Sequence, residues 1–155
     1  MISPELLRRY PFFGLLTDAQ LKAIAMIAQE TTFADGTQVF KEDARANMLY
    51  LLIQGSVDLF YTVDTEGVLD FTKEFLVGGI NPGDVFGVSA LIEPHKYTAT
   101  AKADQNIRVI SVDAVALREL LEQDPKMSCV IMHQVAKAYA ERLQLTRIQL
   151  AAARA

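Results

Sequence analysis

The chain has 155 residues, of which 51% are hydrophobic and 22% charged, and its formal net charge is -4. This length supports one core, so we expect a single domain over residues 1-155, and the acidic balance argues against direct nucleic-acid binding. No apolar run approaches the roughly 18 residues of a membrane span. A lone cysteine and the lack of a basic-then-apolar leader predict a cytoplasmic location.

The first 30 residues predict two helices. Ser3 and Pro4 open a short helix, which Pro11 prevents from continuing. Thr17 is a predicted N-cap with Gln20 three residues later. The residues that follow at helical spacing on one face are Leu21, Ile24, Ala25 and Ala28. We expect this second helix to end near residue 30.

Residues 31-112 change to short runs of high β-propensity separated by glycines. The apolar run 48-53 and the alternating run 57-63 predict two adjacent strands on either side of Gly55. A turn over residues 64-67, in which Gly67 supplies a positive φ, predicts a hairpin between residues 57-63 and 68-77. Many short strands without crossover helices favour a closed antiparallel sandwich or barrel.

Residues 113-155 predict two more helices. Asp113 is a predicted N-cap for residues 114-122, whose expected apolar face is Val115, Leu117, Leu120 and Leu121. Pro125 begins a long helix, on which we expect Cys129 to be a small buried hydrophobe. An apolar stripe recurs along this helix at spacings of four and three, at Met132, Ala136, Tyr139, Leu143, Thr146 and Leu150. At about 40 Å the helix exceeds what a small barrel covers, so we expect it to pair with a second copy.

The stretch from residue 81 to residue 92 carries the functional signal. Residues 82-84, Pro-Gly-Asp, predict a tight turn, and Val85 and Phe86 a two-residue strand. Gly87 then lets the backbone enter a short helix over residues 88-92. We expect the free N–H groups of Val88, Ser89 and Ala90 to hold an anion without help from a basic side chain.

This stretch resembles the phosphate-binding cassette of cyclic-nucleotide-binding domains in the catabolite-activator family. The matching pattern is Gly-Asp-x-Phe-Gly at 83-87, a short helix, and a Thr-Ala-Thr strand at 98-100. Residues 33-36, 49-57 and 141-146 match in order and spacing, so the resemblance covers roughly residues 12-150. It implies a mainly β fold with flanking helices: an antiparallel β-roll or jelly-roll barrel (double-stranded β-helix), N-terminal helices and a long C-terminal dimerisation helix.

The resemblance also implies a ligand site, with a cyclic nucleotide, cAMP or cGMP, as the expected ligand. It places the contacts at Phe86, Gly87, Val88, Ser89, Ala90, Tyr97, Thr98, Ala99 and, across a dimer, Thr146. Two positions depart from the family. Val88 stands where a glutamate accepts the ribose hydroxyl, and Tyr97 stands where an arginine pairs with the phosphate, while Lys96 should face away. Loss of both contacts predicts cyclic-nucleotide affinity weaker by about two to four orders of magnitude.

Two functions remain open from the sequence. The first is a homodimeric sensor that binds a cyclic nucleotide weakly, or another small anionic ligand, and signals through its C-terminal helix. The second is a pseudo-sensor for dimerisation or docking, its pocket filled by side chains such as Tyr97. The chain could also be the sensor part of a longer transcription regulator. For Tyr97 itself we favour ordinary packing over ligand contact.

Metal and catalytic sites find no support in the sequence. His95 and His133 lie far apart, and no cysteine or carboxylate cluster has metal-ligand spacing. The sequence also shows no nucleophile elbow, no His–carboxylate pair at a recognisable spacing and no Gly-rich kinase-type loop. We therefore expect no metal and no enzyme activity.

Overall fold

A computed structural model of the protein describes the backbone of residues 1-65 and 71-155, with side chains over 1-63 and 73-155. The elements in chain order are α1 (Pro4–Arg8), α2 (Asp18–Met26), β1 (Ala28–Phe33), β2 (Gln38–Phe40), β3 (Met48–Gln54), β4 (Val57–Thr65), β5 (Phe71–Ile80), β6 (Val85–Phe86), a 3-10 helix (Val88–Leu91), β7 (Thr100–Ala103), β8 (Ile107–Asp113), α3 (Ala114–Gln123) and α4 (Pro125–Ala153).

The strands form two four-stranded sheets, in the orders β1-β8-β3-β6 and β2-β7-β4-β5. Every strand pair described is antiparallel. This arrangement confirms the predicted mainly β fold with flanking helices. One core lies between the sheets and includes Tyr50, Leu52 and Phe86, whereas a second joins the helices to the outer face of the first sheet and includes Leu49 and Leu51.

The uninterrupted apolar run in β3 follows from this double burial. Successive side chains of a strand point to opposite faces, so Leu49 and Leu51 meet the helices while Tyr50 and Leu52 meet the opposite sheet. All four are buried. A strand covered on both faces has no reason to alternate apolar and polar residues.

The prediction that β3 and β4 are adjacent strands is wrong. β3 pairs with β6 and β8, whereas β4 pairs with β5 and β7 in the other sheet. The chain crosses between the sheets at Gly55, whose φ is 102°. A Cβ on Gly55 would lie 2.7 Å from Cγ2 of Ile107, so only glycine fits this crossing.

The N-terminal helices are confirmed, but α2 ends earlier than predicted. Thr17 and Gln20 form the reciprocal capping box at its start. The helix then stops at Met26 instead of continuing to about residue 30, and Ala28 begins β1 opposite Val112. Pairing with β8 gives these backbone groups sheet partners, which overrides the local helical spacing.

The predicted hairpin is confirmed as the antiparallel pair β4 and β5, aligned from Val57 opposite Ile80 to Thr65 opposite Phe71. The second strand runs to Ile80, three residues beyond the predicted end. The role predicted for Gly67 in the turn lies outside the described residues.

The C-terminal helices begin at the predicted caps. Asp113 accepts a hydrogen bond from the backbone of Ala116 at the start of α3. Val115, expected on the apolar face of α3, is 46% exposed, because Ala114 faces inward together with Leu117 and Leu121. Cys129 on α4 is exposed, so its predicted burial is wrong.

The two halves of α4 differ in their surroundings. Its first half packs on the core through Met127, Ile131 and Val135. From residue 143 onward every side chain is exposed, and the large apolar ones are Leu143, Leu145, Ile148 and Leu150. None of the helices in the described ranges has both the length and the apolar character needed to cross a membrane.

Candidate functional site

The site is built from the turn that follows β5. The backbone N–H of Asn81 donates to the Asp84 carboxylate at 3.0 Å, which holds the turn closed. Gly83 has a φ of 94° and donates its N–H to the carbonyl of Leu52 at 2.8 Å. Leu52 donates in return to the carbonyl of Asp84 at 3.0 Å. These bonds fix the short strand β6 against β3.

Gly87 directs the chain out of β6 into the 3-10 helix. Its φ of 73° lies in the left-handed region that favours glycine. A Cβ there would lie 3.2 Å from the carbonyl oxygen of Met48 and from Cε1 of Tyr97, and 3.3 Å from Cε2 of Phe40. Gly87 is therefore required both by its backbone conformation and by the close packing around it.

The expectation that Ala90 offers a free N–H is wrong. Its N–H donates to the carbonyl of Gly87 at 3.1 Å, and its carbonyl accepts from the guanidinium of Arg118 at 2.6 Å. Ala90 is also fully buried. The helix is a single 3-10 turn ending at Leu91, one residue short of the prediction, so its first turn already uses this donor.

A cavity of about 80 Å³ opens beside this turn and beneath α4. Seven of the nine predicted site residues line it, and Ala90 and Thr146 do not. The predicted lining residues are Phe86, Gly87, Val88, Ser89, Tyr97, Thr98 and Ala99. The remaining lining residues were not among those predicted: Phe40, Leu59, Val85, Ala138, Tyr139 and Arg142.

Tyr97 is part of the cavity wall. Its side chain is 5% exposed and stacks on Phe40 with ring centroids 3.8 Å apart. Its hydroxyl donates to the carbonyl of Met48 at 2.7 Å, and the N–H of Met48 lies 3.2 Å from the same oxygen. Burial raises the pKa of Tyr97 to about 12. These contacts support the packing interpretation.

The residues around Tyr97 differ in position from the predicted strand. Lys96 is exposed and forms an isolated bridge with Arg45, and it does not line the cavity. Thr98 and Ala99 lie in a bend, because β7 begins at Thr100. The exposed Thr98 therefore reaches the cavity from its rim.

The long helix contributes three lining residues that were not predicted to line the site. The hydroxyl of Tyr139 lies 3.4 Å from the hydroxyl of the buried Ser89. One turn later, Nη1 of Arg142 donates to the carbonyl of Gly79 on β5 at 3.2 Å. Ala138 completes this side. Tyr139 was assigned to the dimer stripe, and the spacing of three between Tyr139 and Arg142 was the available signal that they share a face.

Arg142 is the one charged side chain among those described as lining the cavity. It is half-buried, and burial lowers its pKa, an effect that the nearby carboxylates of Asp84 and Glu141 oppose. Within the described side chains, no carboxylate lies within ion-pair distance of its guanidinium. Over the described residues, the site thus combines one cation that lacks an ion-pair partner with a largely apolar wall.

Thr146 lies one turn beyond Arg142 on α4 and is exposed. It does not reach the cavity of its own chain. A role for Thr146 therefore requires a second copy, as the family resemblance implies. Among the described residues, no group of three or more His, Cys, Asp or Glu side chains is placed to hold a metal.

Comparison with known proteins gives a consistent assignment. The family profile of the cyclic nucleotide-binding domain matches residues 30-124. The crystal structure of a Geobacter metallireducens GS-15 protein described as cyclic nucleotide-binding is similar with a TM-score of 0.79 and 43% identity, over 92% of this chain and 99% of that one. The regulatory domain of Toxoplasma gondii PKA, crystallised with cAMP, shares the fold with a TM-score of 0.69 at 18% identity, over 88% of this chain and 48% of that one.

A curated relative is similar along most of this chain. The CRP-like cAMP-activated global transcriptional regulator of Mycobacterium tuberculosis is 28% identical over 147 residues, which cover 95% of this chain. The match covers 61% of the regulator, so the chain spans about three fifths of the length of this relative.

Proposed function

The chain belongs to the cyclic nucleotide-binding domain family, and from that premise we propose that it is a cytoplasmic, non-catalytic sensor domain spanning residues 1-155. It binds a small anionic ligand in the cavity beneath α4 and acts as a homodimer through that helix. The single observation that carries this proposal is the shared lining of the cavity. The turn at 87-89 supplies one side and α4 supplies the other, through Tyr139 and Arg142.

The shared lining couples ligand binding to the position of α4. Ser89 and Tyr139 meet across the cavity with 3.4 Å between their hydroxyl oxygens. A ligand that enters between them exchanges this contact for its own contacts to both sides. It shifts the helix only as far as its affinities for the two helix positions differ. The output of the sensor is therefore a change in the orientation of α4.

Cyclic nucleotides are weak ligands in this proposal. The cavity volume of about 80 Å³ is well below the roughly 300 to 1,000 Å³ of typical ligand pockets, so a nucleotide enters only after α4 moves away. Val88 offers no acceptor for a ribose hydroxyl. Tyr97 is held in the wall and offers no cation for a phosphate. Arg142 supplies the positive charge from the helix instead.

The test is a thermal-shift titration with cAMP, cGMP and small anions, each compared with a neutral analogue such as adenosine at equal ionic strength. A ligand at 100 times its dissociation constant adds about 2.7 kcal/mol to the free energy of unfolding. Hydrogen exchange of the α4 backbone amides with and without that ligand reads the output. A binding anion that changes exchange around residues 139-142 supports the sensor, and binding without that change removes the signalling role.

The second candidate is a pseudo-sensor that serves dimerisation or docking and binds no nucleotide. The observation that favours it is the burial of Tyr97 in the position where relatives of the family carry the phosphate-binding arginine. The exposed apolar side chains beyond residue 142 of α4 would then form the functional surface. Absence of any shift with cyclic nucleotides and small anions, together with a stable dimer in sedimentation, selects this candidate.

The relation to a longer regulator is part of the proposal. The chain corresponds to about three fifths of the Mycobacterium tuberculosis regulator, and α4 follows directly after the residues that match the family profile. In a longer protein the same helix would transmit the ligand state to whatever follows it. The length of the parent reading frame tests this relation directly.

A further inference from the structure

The cavity beneath α4 is adapted to a ligand of a particular chemical class. We infer that it takes a small monoanion with an apolar body, namely a short-chain carboxylate, in preference to a cyclic nucleotide. This inference rests on the proposed function, since it requires the cavity to be the ligand site. Three properties of the lining carry it: polarity, charge and volume.

The polarity of the wall does not suit a sugar. Leu59, Val88 and Phe86 face the space, together with the stacked rings of Phe40 and Tyr97. The hydroxyl of Tyr97 is turned away to the backbone of Met48. A ribose hydroxyl placed against the side chains of Leu59, Val88 and Phe86 loses its water and gains no hydrogen bond from them, which weakens binding about five- to 150-fold. An alkyl group placed there gains from burial.

The charge of the lining favours a ligand with one negative group. Arg142 is the sole charged member of the described lining, and within the described residues one of its donors forms a hydrogen bond, to the carbonyl of Gly79. A guanidinium has five N–H donors, so several remain for a carboxylate. The hydroxyls of Ser89 and Tyr139, 3.4 Å apart, lie on the same lining and supply further donors. One cation with two hydroxyls matches a carboxylate monoanion.

The volume limits the apolar body to a few carbon atoms. The cavity beneath α4 measures about 80 Å³. A cavity that binds benzene measures about 150 Å³. Propionate and butyrate are therefore the natural probes, with the alkyl chain inside the cavity and the carboxylate at Arg142.

The experiment is calorimetric titration of the protein with sodium butyrate, butyramide, cAMP and cGMP at constant ionic strength. We expect saturable butyrate binding, at least tenfold weaker binding of the neutral butyramide, and weaker binding of both cyclic nucleotides. Arg142→Gln should weaken butyrate binding about ten- to a hundredfold, because it removes a charge-assisted bond. Arg147→Gln is the matched control, since Arg147 is exposed on the same helix and does not line the cavity.

The outcomes separate this inference from the proposed function. Tighter binding of a cyclic nucleotide than of butyrate overturns the inference and leaves the sensor proposal intact. Failure of every anion to bind overturns both. Equal affinity for butyrate and butyramide, or an unchanged affinity after Arg142→Gln, also overturns the inference. If Arg142→Gln does not fold, Arg142→Lys keeps the charge. The lysine variant should bind butyrate more weakly than the wild type does, but more tightly than it binds butyramide.

Discussion

The ring of Tyr97 lies flat on the ring of Phe40, with centroids 3.8 Å apart and an angle of 11° between the planes. The Phe40 ring is also stacked with the rings of Tyr50 and Phe86, and the ring centroids are 6.0 Å apart in each pair. Tyr97 is therefore one end of an aromatic cluster that also contains Phe40, Tyr50 and Phe86. We therefore expect substitution of Tyr97 to lower the stability of the fold.

Tyr97→Phe should destabilise the protein by about 1 to 3 kcal/mol, because it leaves the backbone of Met48 without its hydroxyl partner while keeping the ring stack. Urea unfolding at pH 7 measures the difference. Tyr61→Phe is the matched control, since Tyr61 is 50% exposed and its change should fall within about 0.5 kcal/mol. Equal costs at the two positions would show that the Tyr97 hydroxyl is not a structural contact.

The same hydroxyl predicts a loss of stability at high pH. Burial raises the pKa of Tyr97 from 10.0 to about 12, so its ionised form is disfavoured in the folded state. Its contribution is complete below pH 10 and is lost as the pH rises through about 12. Wild type should therefore lose more stability than Tyr97→Phe between these pH values. Parallel stability curves for the two proteins would contradict this prediction.

Substitution of three glycines by alanine should separate backbone strain from steric crowding. Gly83→Ala meets nothing within 4 Å and carries only the cost of a positive φ, about 1 to 2 kcal/mol. Gly87→Ala adds contacts at 3.2 Å and should cost more, and Gly55→Ala, with contacts at 2.7 Å, should cost the most. Denaturation midpoints with an unchanged m-value measure this order. A Gly83 variant as unstable as the Gly55 variant would contradict it.

Asp58→Asn should stabilise the protein at neutral pH. Burial and the nearby Asp104 carboxylate raise the pKa of Asp58 above 3.8. The protonated form of Asp58 contributes stability below pH 3.8, and this contribution is lost as the pH rises through the raised pKa of Asp58. At pH 7 the charged pair Asp58 and Asp104 therefore repels. The asparagine keeps a hydrogen-bond donor for Asp104. Urea unfolding at pH 4 and pH 7 should show a gain at pH 7 that shrinks at pH 4, and Asp35→Asn controls for net charge.

Leu143→Glu should dissociate the proposed dimer. Leu143 is 51% exposed in the single chain, and a second copy packed on the end of α4 would bury it. Sedimentation should report a dimer for the wild type and a monomer for the variant. Gln144→Glu adds the same charge at the next position, outside the predicted stripe, and should remain dimeric. A monomeric wild type would remove the dimer from the proposed function.

The sequence predicted best those features that depend on local chemistry. The capping box of Thr17, the cap at Asp113 and the start of α4 at Pro125 follow from backbone groups within one turn, and all three are present. The turn before β6 and the entry into the short helix at Gly87 follow from the same local logic. Residue type and short spacing are sufficient where the partner lies a few positions away.

Features that depend on distant partners were not predictable in the same way. Ala28 fits a helical spacing, but β8, some 80 residues away, captures it as a strand. Arg142 was missed because its role depends on which side of α4 faces Gly79, and this is set by packing of the first half of the helix. Ala90 is an exception with a local partner, because its N–H bonds to Gly87 within the 3-10 turn, a donor that the first turn of an α-helix would leave free.

The hydrogen bond from Arg142 to the carbonyl of Gly79 ties this point of α4 to β5. Beyond it the helix continues to Ala153, an arm of about 17 Å at 1.5 Å rise per residue. A tilt of roughly 10° about this hydrogen bond would carry the far tip about 3 Å, which is close to the roughly 3.5 to 4 Å between packed carbon atoms. A rearrangement of a single guanidinium at the barrel would thus be magnified into a displacement that another helix can distinguish.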